Sequence, residues 1–114
     1  SMSQYPPELI VVEGQAVILN CNYPKSYTNQ AAFWYILNGG QAPKYLLKQI
    51  SADYGDEARD LPKRFSGAYH KENRSIPLSI SGVLVSDSAV YLCAMNSGAG
   101  GKLIFGGGTK LTVD

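Results

Sequence analysis

Asp87-Ser88-Ala89-Val90-Tyr91-Leu92-Cys93 is the stretch on which the reading of this chain turns. It has the alternation of a strand, so Tyr91 and Cys93 face one way while Val90 and Leu92 face the other. A second cysteine, Cys21, lies 72 residues upstream, and the single tryptophan, Trp34, falls between the two. Downstream stands a glycine-rich close, Phe105-Gly106-Gly107-Gly108-Thr109. Turn residues recur at short intervals, in Glu13-Gly14-Gln15, Asn38-Gly39-Gly40, Asp53-Tyr54-Gly55-Asp56, Lys71-Glu72-Asn73 and Ser97 to Gly101. Short β-branched and aromatic runs fill the spaces between them. No segment keeps a helical period for long, and only a short turn between Val83 and Ser88 fits one. The pattern predicts an all-β sandwich.

The strands are of two kinds. Val17, Leu19 and Cys21 share a face opposite the mainly polar Ile18, Asn20 and Asn22. Ile76, Leu78 and Ile80 likewise oppose Pro77, Ser79 and Ser81. Such strands have a core face and a water face. Ala31-Ala32-Phe33-Trp34-Tyr35-Ile36-Leu37 breaks the rule, because it is apolar throughout. With Ala32, Trp34 and Ile36 turned to the core, Phe33, Tyr35 and Leu37 face out, as do Val90 and Leu92. A strand apolar on both faces needs a second cover, and one sandwich has none to offer. The pattern therefore points to a partner domain on this sheet.

The chain has 114 residues, a net charge of +1 and 45% hydrophobic residues. These values suit one folded domain and point away from nucleic acid, anionic membranes and disorder. No apolar run reaches the ~18 residues of a membrane span. Ser1-Met2-Ser3 reads as an expression remnant ahead of a domain at 4–114, and the missing leader suggests an excised ectodomain. The two cysteines are too far apart for a metal knuckle or a redox pair. They are either a disulfide or two buried free thiols. A disulfide closing so long a loop would contribute up to about 4 kcal/mol and imply an oxidising, extracellular setting.

The string Asp87 to Ala94 resembles the end of a T-cell receptor V segment, and Gly101-Lys102-Leu103-Ile104-Phe105-Gly106-Gly107-Gly108-Thr109 resembles an alpha-chain J segment. Pro6-Pro7, Glu13-Gly14 and Lys63-Arg64-Phe65-Ser66-Gly67 are similar to variable-domain frameworks. The whole thus resembles a T-cell receptor alpha (or delta) chain variable domain, with a V segment to about 95 and a J-like segment over 97–114. Phe105 to Val113 also resembles a lambda light-chain J segment. Gly101 to Ile104, and the long stretch from Leu47 to Arg64, favour the receptor over an immunoglobulin light chain. A V-type adhesion or co-receptor domain is the other alternative, but it needs no J-like ending.

The resemblance implies an immunoglobulin V-type β-sandwich of two antiparallel sheets with Greek-key connections. It implies a Cys21–Cys93 disulfide with Trp34 packed on it, and a tyrosine corner at Tyr91. It also implies an Arg64–Asp87 ion pair, and a bulge at Gly106 and Gly108. Three antigen-binding loops are implied. The first is Lys25, Ser26, Tyr27, Thr28, Asn29 and Gln30. The second is Gln49, Ile50, Ser51, Ala52, Asp53 and Tyr54, running on to Glu57. The third includes Met95, Asn96, Ser97, Gly98, Ala99, Gly100, Gly101 and Lys102, within 94–104. Their ligand would be a peptide or other antigen held by an MHC or MHC-like molecule. Tyr27 and Tyr54 are the aromatic anchors of the first two loops. The third is glycine-rich without an aromatic, which predicts mobility and modest affinity. Phe33, Tyr35, Leu37, Pro43, Tyr45, Leu92 and Phe105 would meet a second variable domain of a beta-type chain. Asn73-Arg74-Ser75 is an N-glycosylation sequon in a loop expected on the face away from that partner. The setting implied is extracellular, at the cell surface, with no membrane contact by this fragment.

One departure stands out. Leu37 occupies a position where such domains usually carry Gln, and two such glutamines normally pair across the interface. A conventional partner would lose its mate, at a cost of about 1–3 kcal/mol if buried dry. An adapted partner, a shifted docking, or a homodimer of the isolated domain are the outcomes expected.

Catalysis has no support. Asp87-Ser88-Ala89 resembles an aspartic-protease triplet but has no second copy. Gly98 to Lys102 fails the phosphate-loop spacing. His70 is the only histidine, which removes a serine triad, and no His/Cys/carboxylate cluster suggests a metal. No enzyme, cofactor or metal is expected.

Overall fold

Alternation along the strands sorts the chain into two sheets. The computed structural model describes residues 2–27, 30–96 and 101–114. Its strands are β1 (Ser3–Tyr5), β2 (Glu8–Val11), β3 (Val17–Asn22), β4 (Ala32–Leu37), β5 (Lys44–Ser51), β6 (Tyr54–Glu57), β7 (Phe65–Gly67), β8 (Leu78–Ile80), β9 (Ala89–Asn96), β10 (Leu103–Phe105) and β11 (Thr109–Val113). One sheet has the order β1-β3-β8-β7. The other has the order β2-β11-β9-β4-β5-β6, with β10 also paired to β9. Single 3-10 turns occupy Lys25–Tyr27, Lys71–Asn73 and Val85–Asp87, the last within the expected Val83–Ser88 stretch.

The first sheet carries the expected two faces. Val17, Leu19, Cys21, Leu78 and Ile80 are buried, and Ile18 is 57% exposed. In the second sheet Ala32, Trp34, Tyr91 and Cys93 face the core and are buried. Cys21 and Cys93 form a disulfide across the sandwich, with Cα atoms 6.5 Å apart. Trp34 stands opposite Cys93 in the β4–β9 ladder. Its indole N–H donates to the Ile76 carbonyl at 2.9 Å, across to the other sheet.

Two details depart from the expected plan. Residues 2 and 3 belong to the fold, whatever their origin, since Met2 is buried and Ser3 pairs with Asn22. The sheets are also not wholly antiparallel, because β2 runs parallel to β11. The chain leaves the first sheet after β1, turns through Pro6-Pro7, and lays β2 beside the last strand of the second sheet. Proline lacks the N–H that would continue the β1 ladder.

Leu46 and Leu47 are neighbours yet both buried. The register explains it: Trp34 pairs with Leu47 but Tyr35 with Tyr45, so Leu46 is an extra residue in a bulge. The close of the chain holds another. Phe105 pairs with Ala94 but Thr109 with Tyr91, leaving one residue more on the glycine side. Gly108 takes φ +94° there, and a Cβ on Gly106 would stand 2.6 Å from Gln4 Oε1 and 2.8 Å from Cys93 Sγ.

At the opposite end from the candidate loops, Arg64 grips Asp87 with two hydrogen bonds of 2.7 and 3.1 Å. The same carboxylate accepts the Leu84 N–H at 2.8 Å. Asp87 is only 6% exposed. Burial alone would raise its carboxyl, but the Arg64 and Leu84 hydrogen bonds outweigh that and hold it below its usual value. Its backbone carbonyl accepts the buried Tyr91 hydroxyl at 2.6 Å, which is the tyrosine corner.

Arg64→Ala should lower stability by about 2–3 kcal/mol at neutral pH, because it strands a buried carboxylate. The folded-state value is depressed, so the pair's contribution is full above the ordinary 3.8 and is lost as pH falls through the folded-state value. Denaturant unfolding of both proteins over acidic pH should show the gap closing there. A pH-independent gap would contradict the assignment.

Candidate recognition loops and partner face

The ladder registers place the candidate loops at one end. Ala32 pairs with Gln49 on one side and Met95 on the other, Gln49 pairs with Gly55, and Met95 with Ile104. These residues form one row across the sheet, and the loops rise from it.

The first loop begins in the Lys25–Tyr27 turn, closed by the Tyr27 N–H to the Pro24 carbonyl at 3.0 Å. Tyr27 is half-buried and packs against the core. It is a foot for the loop, with its ring partly held by the core. Thr28 and Asn29 lie outside the described residues. The far end is tied down where the Tyr69 hydroxyl donates to the Gln30 carbonyl at 2.8 Å. Burial, with a hydrogen bond to Tyr23, pushes the Tyr69 phenol well above its usual value, so it stays a donor.

The second loop is the β5–β6 hairpin. Gln49 pairs with Gly55 but Ser51 with Tyr54, so Ile50 is an extra residue and turns outward. A Cβ on Gly55 would collide with Gln49 Oε1 and the Lys48 carbonyl, so the tight approach needs glycine. Tyr54 is 67% exposed at the tip, a ring free for contact. Ala52 and Asp53 form the turn, and Asp53, Asp56 and Glu57 line an open acidic hollow.

The third loop differs from its expected extent. Ala94 and Met95 are in β9 and fully buried, so Met95 is core and not a contact residue. Strand alternation sends Met95 inward with Tyr91 and Cys93. Asn96 is half-buried and its N–H bonds to the Ala31 carbonyl. Gly101 (φ +68°) and Lys102 are exposed. Ser97, Gly98, Ala99 and Gly100 lie outside the described residues.

A fourth segment joins this end. The Lys71–Asn73 turn, exposed, connects β7 to β8 in the first sheet. Asn22 donates to the carbonyls of Asn73 and Arg74 at 3.2 and 3.1 Å. Arg74 Nε donates to the Tyr23 carbonyl at 3.3 Å. A shallow hollow separates Tyr69–Glu72 from Ile50, Ser51 and Ala52. Asn73 is thus on the first sheet, away from the candidate partner face and beside the loops. A polar turn and the sequon at Asn73 mark this segment in the sequence.

The candidate partner face is the outer side of the second sheet. Phe33, Tyr35, Leu37 and Leu92 are half-buried there and Phe105 is 43% exposed. Tyr35 sits at the centre, with ring centroids 6.3 Å from Phe33, 6.2 Å from Tyr45 and 5.6 Å from Phe105. Pro43 is exposed at the lower edge. The Tyr45 hydroxyl donates to the Asp56 carbonyl at 3.3 Å, and burial with nearby Asp56 raises its pKa. The aromatic rings shelter one another, which is why residues that face outward are only half-exposed.

Gln4 was not legible in the sequence. Its side-chain N–H donates to the Tyr91 carbonyl at 2.6 Å. Its Oε1 accepts the N–H groups of Cys93 at 3.3 Å and Gly108 at 2.9 Å. An interior glutamine on a short first strand has no periodic signature. Its mate, the glycine at 106, was the only hint.

Among the described residues no cluster of His, Cys, Asp or Glu is fit to hold a metal. Asp87 of the protease-like triplet is taken up by Arg64. No helix of the described residues is long and apolar enough to cross a membrane.

A sandwich with this disulfide, tyrosine corner and glycine bulge, and three loops over one end, has the form of an immunoglobulin variable domain. Residues 4–114 match the Immunoglobulin V-set domain family. The chain is 41% identical to the T-cell receptor alpha chain V region CTL-F3 of Mus musculus, over 99% of this chain and 81% of that protein. It is 36% identical to the alpha chain V region RL-5 of Oryctolagus cuniculus, over 100% of this chain and 81% of that protein. It is 32% identical to the T cell receptor alpha chain MC.7.G5 of Homo sapiens, over 99% of this chain and 40% of that protein. The chain belongs to the immunoglobulin V-set family, among the T-cell receptor alpha-chain variable regions. It is an antigen-recognition domain of a non-enzymatic receptor family whose variable domains are extracellular.

Tyr69→Phe should leave the fold intact, at a cost of about 1 kcal/mol, but free the Gln30 end of the first loop. Hydrogen exchange should accelerate near residues 30 and 31 well beyond the global change. Equal protection in both proteins would remove the tether from the account.

Proposed function

We propose that this domain binds antigen presented by an MHC or MHC-like molecule through its three loops. It pairs with a beta-type variable domain through the outer face of β4, β5, β9 and β10. The observation that carries the reading is the aromatic face around Tyr35, apolar and uncovered in a sheet whose other side is already the core. Contiguous apolar surface of this kind marks a protein interface. Pairing there sets the third loop of each chain near the shared axis, so the antigen meets a composite surface. The exposed Tyr54 tip and acidic Asp53, Asp56 and Glu57 suit a presenting surface with a basic rim. The exposed Asn73 carries a glycan on the first sheet, clear of the partner.

In the paired receptor, Tyr54→Ala and Lys102→Ala should each weaken binding of the presented antigen ~3- to 30-fold, measured by surface plasmon resonance. Ile18→Ser, on the first sheet, should change it less than ~2-fold. Hydrogen exchange should show new protection at β4, β9 and β10 when a beta-type domain is added. Unchanged binding in both loop variants, or protection confined to the first sheet, would defeat the reading.

A further inference from the structure

We propose that Asn38 is a site of spontaneous covalent modification, which loses its side-chain nitrogen as ammonia and leaves aspartate or isoaspartate in the turn between β4 and β5. The inference needs no partner and stands apart from the pairing reading above.

Three conditions meet at this residue. First, glycine follows Asn38, whereas Cys21, Tyr23, Gln30, Arg74 and Ser97 follow the other asparagines. With no Cβ, Gly39 leaves its backbone nitrogen open to approach, and the space around it is clear. Second, the reacting groups are uncommitted. The turn closes through the Gln41 N–H to the Asn38 carbonyl at 3.0 Å. Among the described residues that leaves the Asn38 side-chain amide and the Gly39 N–H without a hydrogen bond, and both residues are exposed. Asn22, by contrast, accepts from the Tyr5 hydroxyl and donates to the Asn73 and Arg74 carbonyls. The nitrogen after Asn73 is likewise engaged, because the Arg74 N–H donates to the Lys71 carbonyl at 3.4 Å. Asn20 lies within β3, where pairing to β1 fixes the backbone. Third, the segment can move. Gly39 (φ +33°) and Gly40 (φ +75°) stand together in the connection from Leu37 to Lys44. Two glycines let the backbone swing toward the side chain while the Ile36–Lys44 pair holds the ladder below.

The chemistry uses water and nothing else. The Gly39 backbone nitrogen attacks Asn38 Cγ. A C–N bond forms, the Cγ–Nδ2 bond breaks, and the proton from the Gly39 nitrogen leaves with the amide nitrogen as ammonia. The product is a five-membered succinimide. Water then opens the ring. Addition at Cγ gives aspartate. Addition at the backbone carbonyl gives isoaspartate, with the main chain rerouted through Cγ. Nothing is oxidised or reduced. Either product replaces a neutral amide by a carboxylate, which cancels the formal net charge of +1. Isoaspartate also lengthens the main chain by one carbon and moves the carbonyl that Gln41 holds into a branch. The new charge stands one residue from Leu37, at the foot of the candidate partner face, beside a hollow lined by Val90 and Lys110.

Ageing the folded chain in warm, mildly alkaline buffer tests this. Ion-exchange chromatography, released ammonia and fragment-ion mapping of tryptic peptide 26–44 follow the reaction. Wild type should gain about 1 Da, first at residue 38, with one ammonia released per conversion. An isoaspartyl methyltransferase should label more than half of the product, and the remainder should co-elute with Asn38→Asp. Asn38→Gln, whose ring would need six members, should abolish the reaction at this position. Gly39→Ala should slow it at least ~5-fold by screening the nitrogen. Thermal midpoint and the Trp34 near-ultraviolet signal report whether each variant is folded, and the Asn38→Gln arm stands if Gly39→Ala does not fold. Wild type unfolded in urea supplies the reference rate. The folded chain should react within ~10-fold of it, since an exposed turn gives little protection. A first modification at another asparagine, a folded rate more than ~10-fold below the unfolded one, or a folded Gly39→Ala slowed less than ~5-fold would overturn the proposal.

Discussion

The structure depends on a closed circuit through its centre. The disulfide joins Cys21 of β3 to Cys93 of β9. Cys93 faces Trp34 in the adjacent ladder, the Trp34 indole bonds to the Ile76 carbonyl, and the Ile76 N–H returns to the Cys21 carbonyl at 2.9 Å. One covalent link, one ladder and two hydrogen bonds hold two sheets at a fixed spacing. With Trp34 committed inward, β4 must turn Phe33, Tyr35 and Leu37 to the other side. The aromatic outer face is thus a consequence of the core.

The two ends of the sandwich divide the work. At one end Arg64, Asp87 and Tyr91 lock the turn before β9, so the strand that leads to the third loop starts from a rigid base. At the other end the hydrogen bonds go to carbonyls of the connections: Tyr69 to Gln30, Arg74 to Tyr23, Asn22 to Asn73. These ties hold the feet of the loops and leave tips such as Tyr54 free. Fixed feet reduce the ordering entropy lost on binding.

Much of this was legible because it is periodic or punctuated. Alternation gave the two-faced strands and the two-sided β4, and the cysteine, tryptophan and glycine positions located the frame. Arg64 and Asp87 were legible only through resemblance, since nothing local joins residues 23 positions apart. Three things escaped. The implied third loop starts at Ala94, but the inward alternation of β9 runs on to Met95. Tyr27 packs on the core from a single turn, which has no period to announce it. The bulges at Leu46 and Ile50 shift the inward set by one residue, which only register reveals.

Gln4 has a consequence for how such a chain can vary. Its amide contacts β9 at Tyr91 and Cys93 and the close at Gly108, with Gly106 too near for any side chain. The two strands that flank the third loop are therefore pinned below it, and the last of their pairs to face the core is Met95 with Ile104. Sequence and length above that point can change without the change being transmitted into the sandwich. Any segment joined after β9 has to meet one demand at the seam, a glycine where Gln4 expects it. The fold thus separates a constant joint from a variable span, and diversity is confined to residues that the core never has to accommodate.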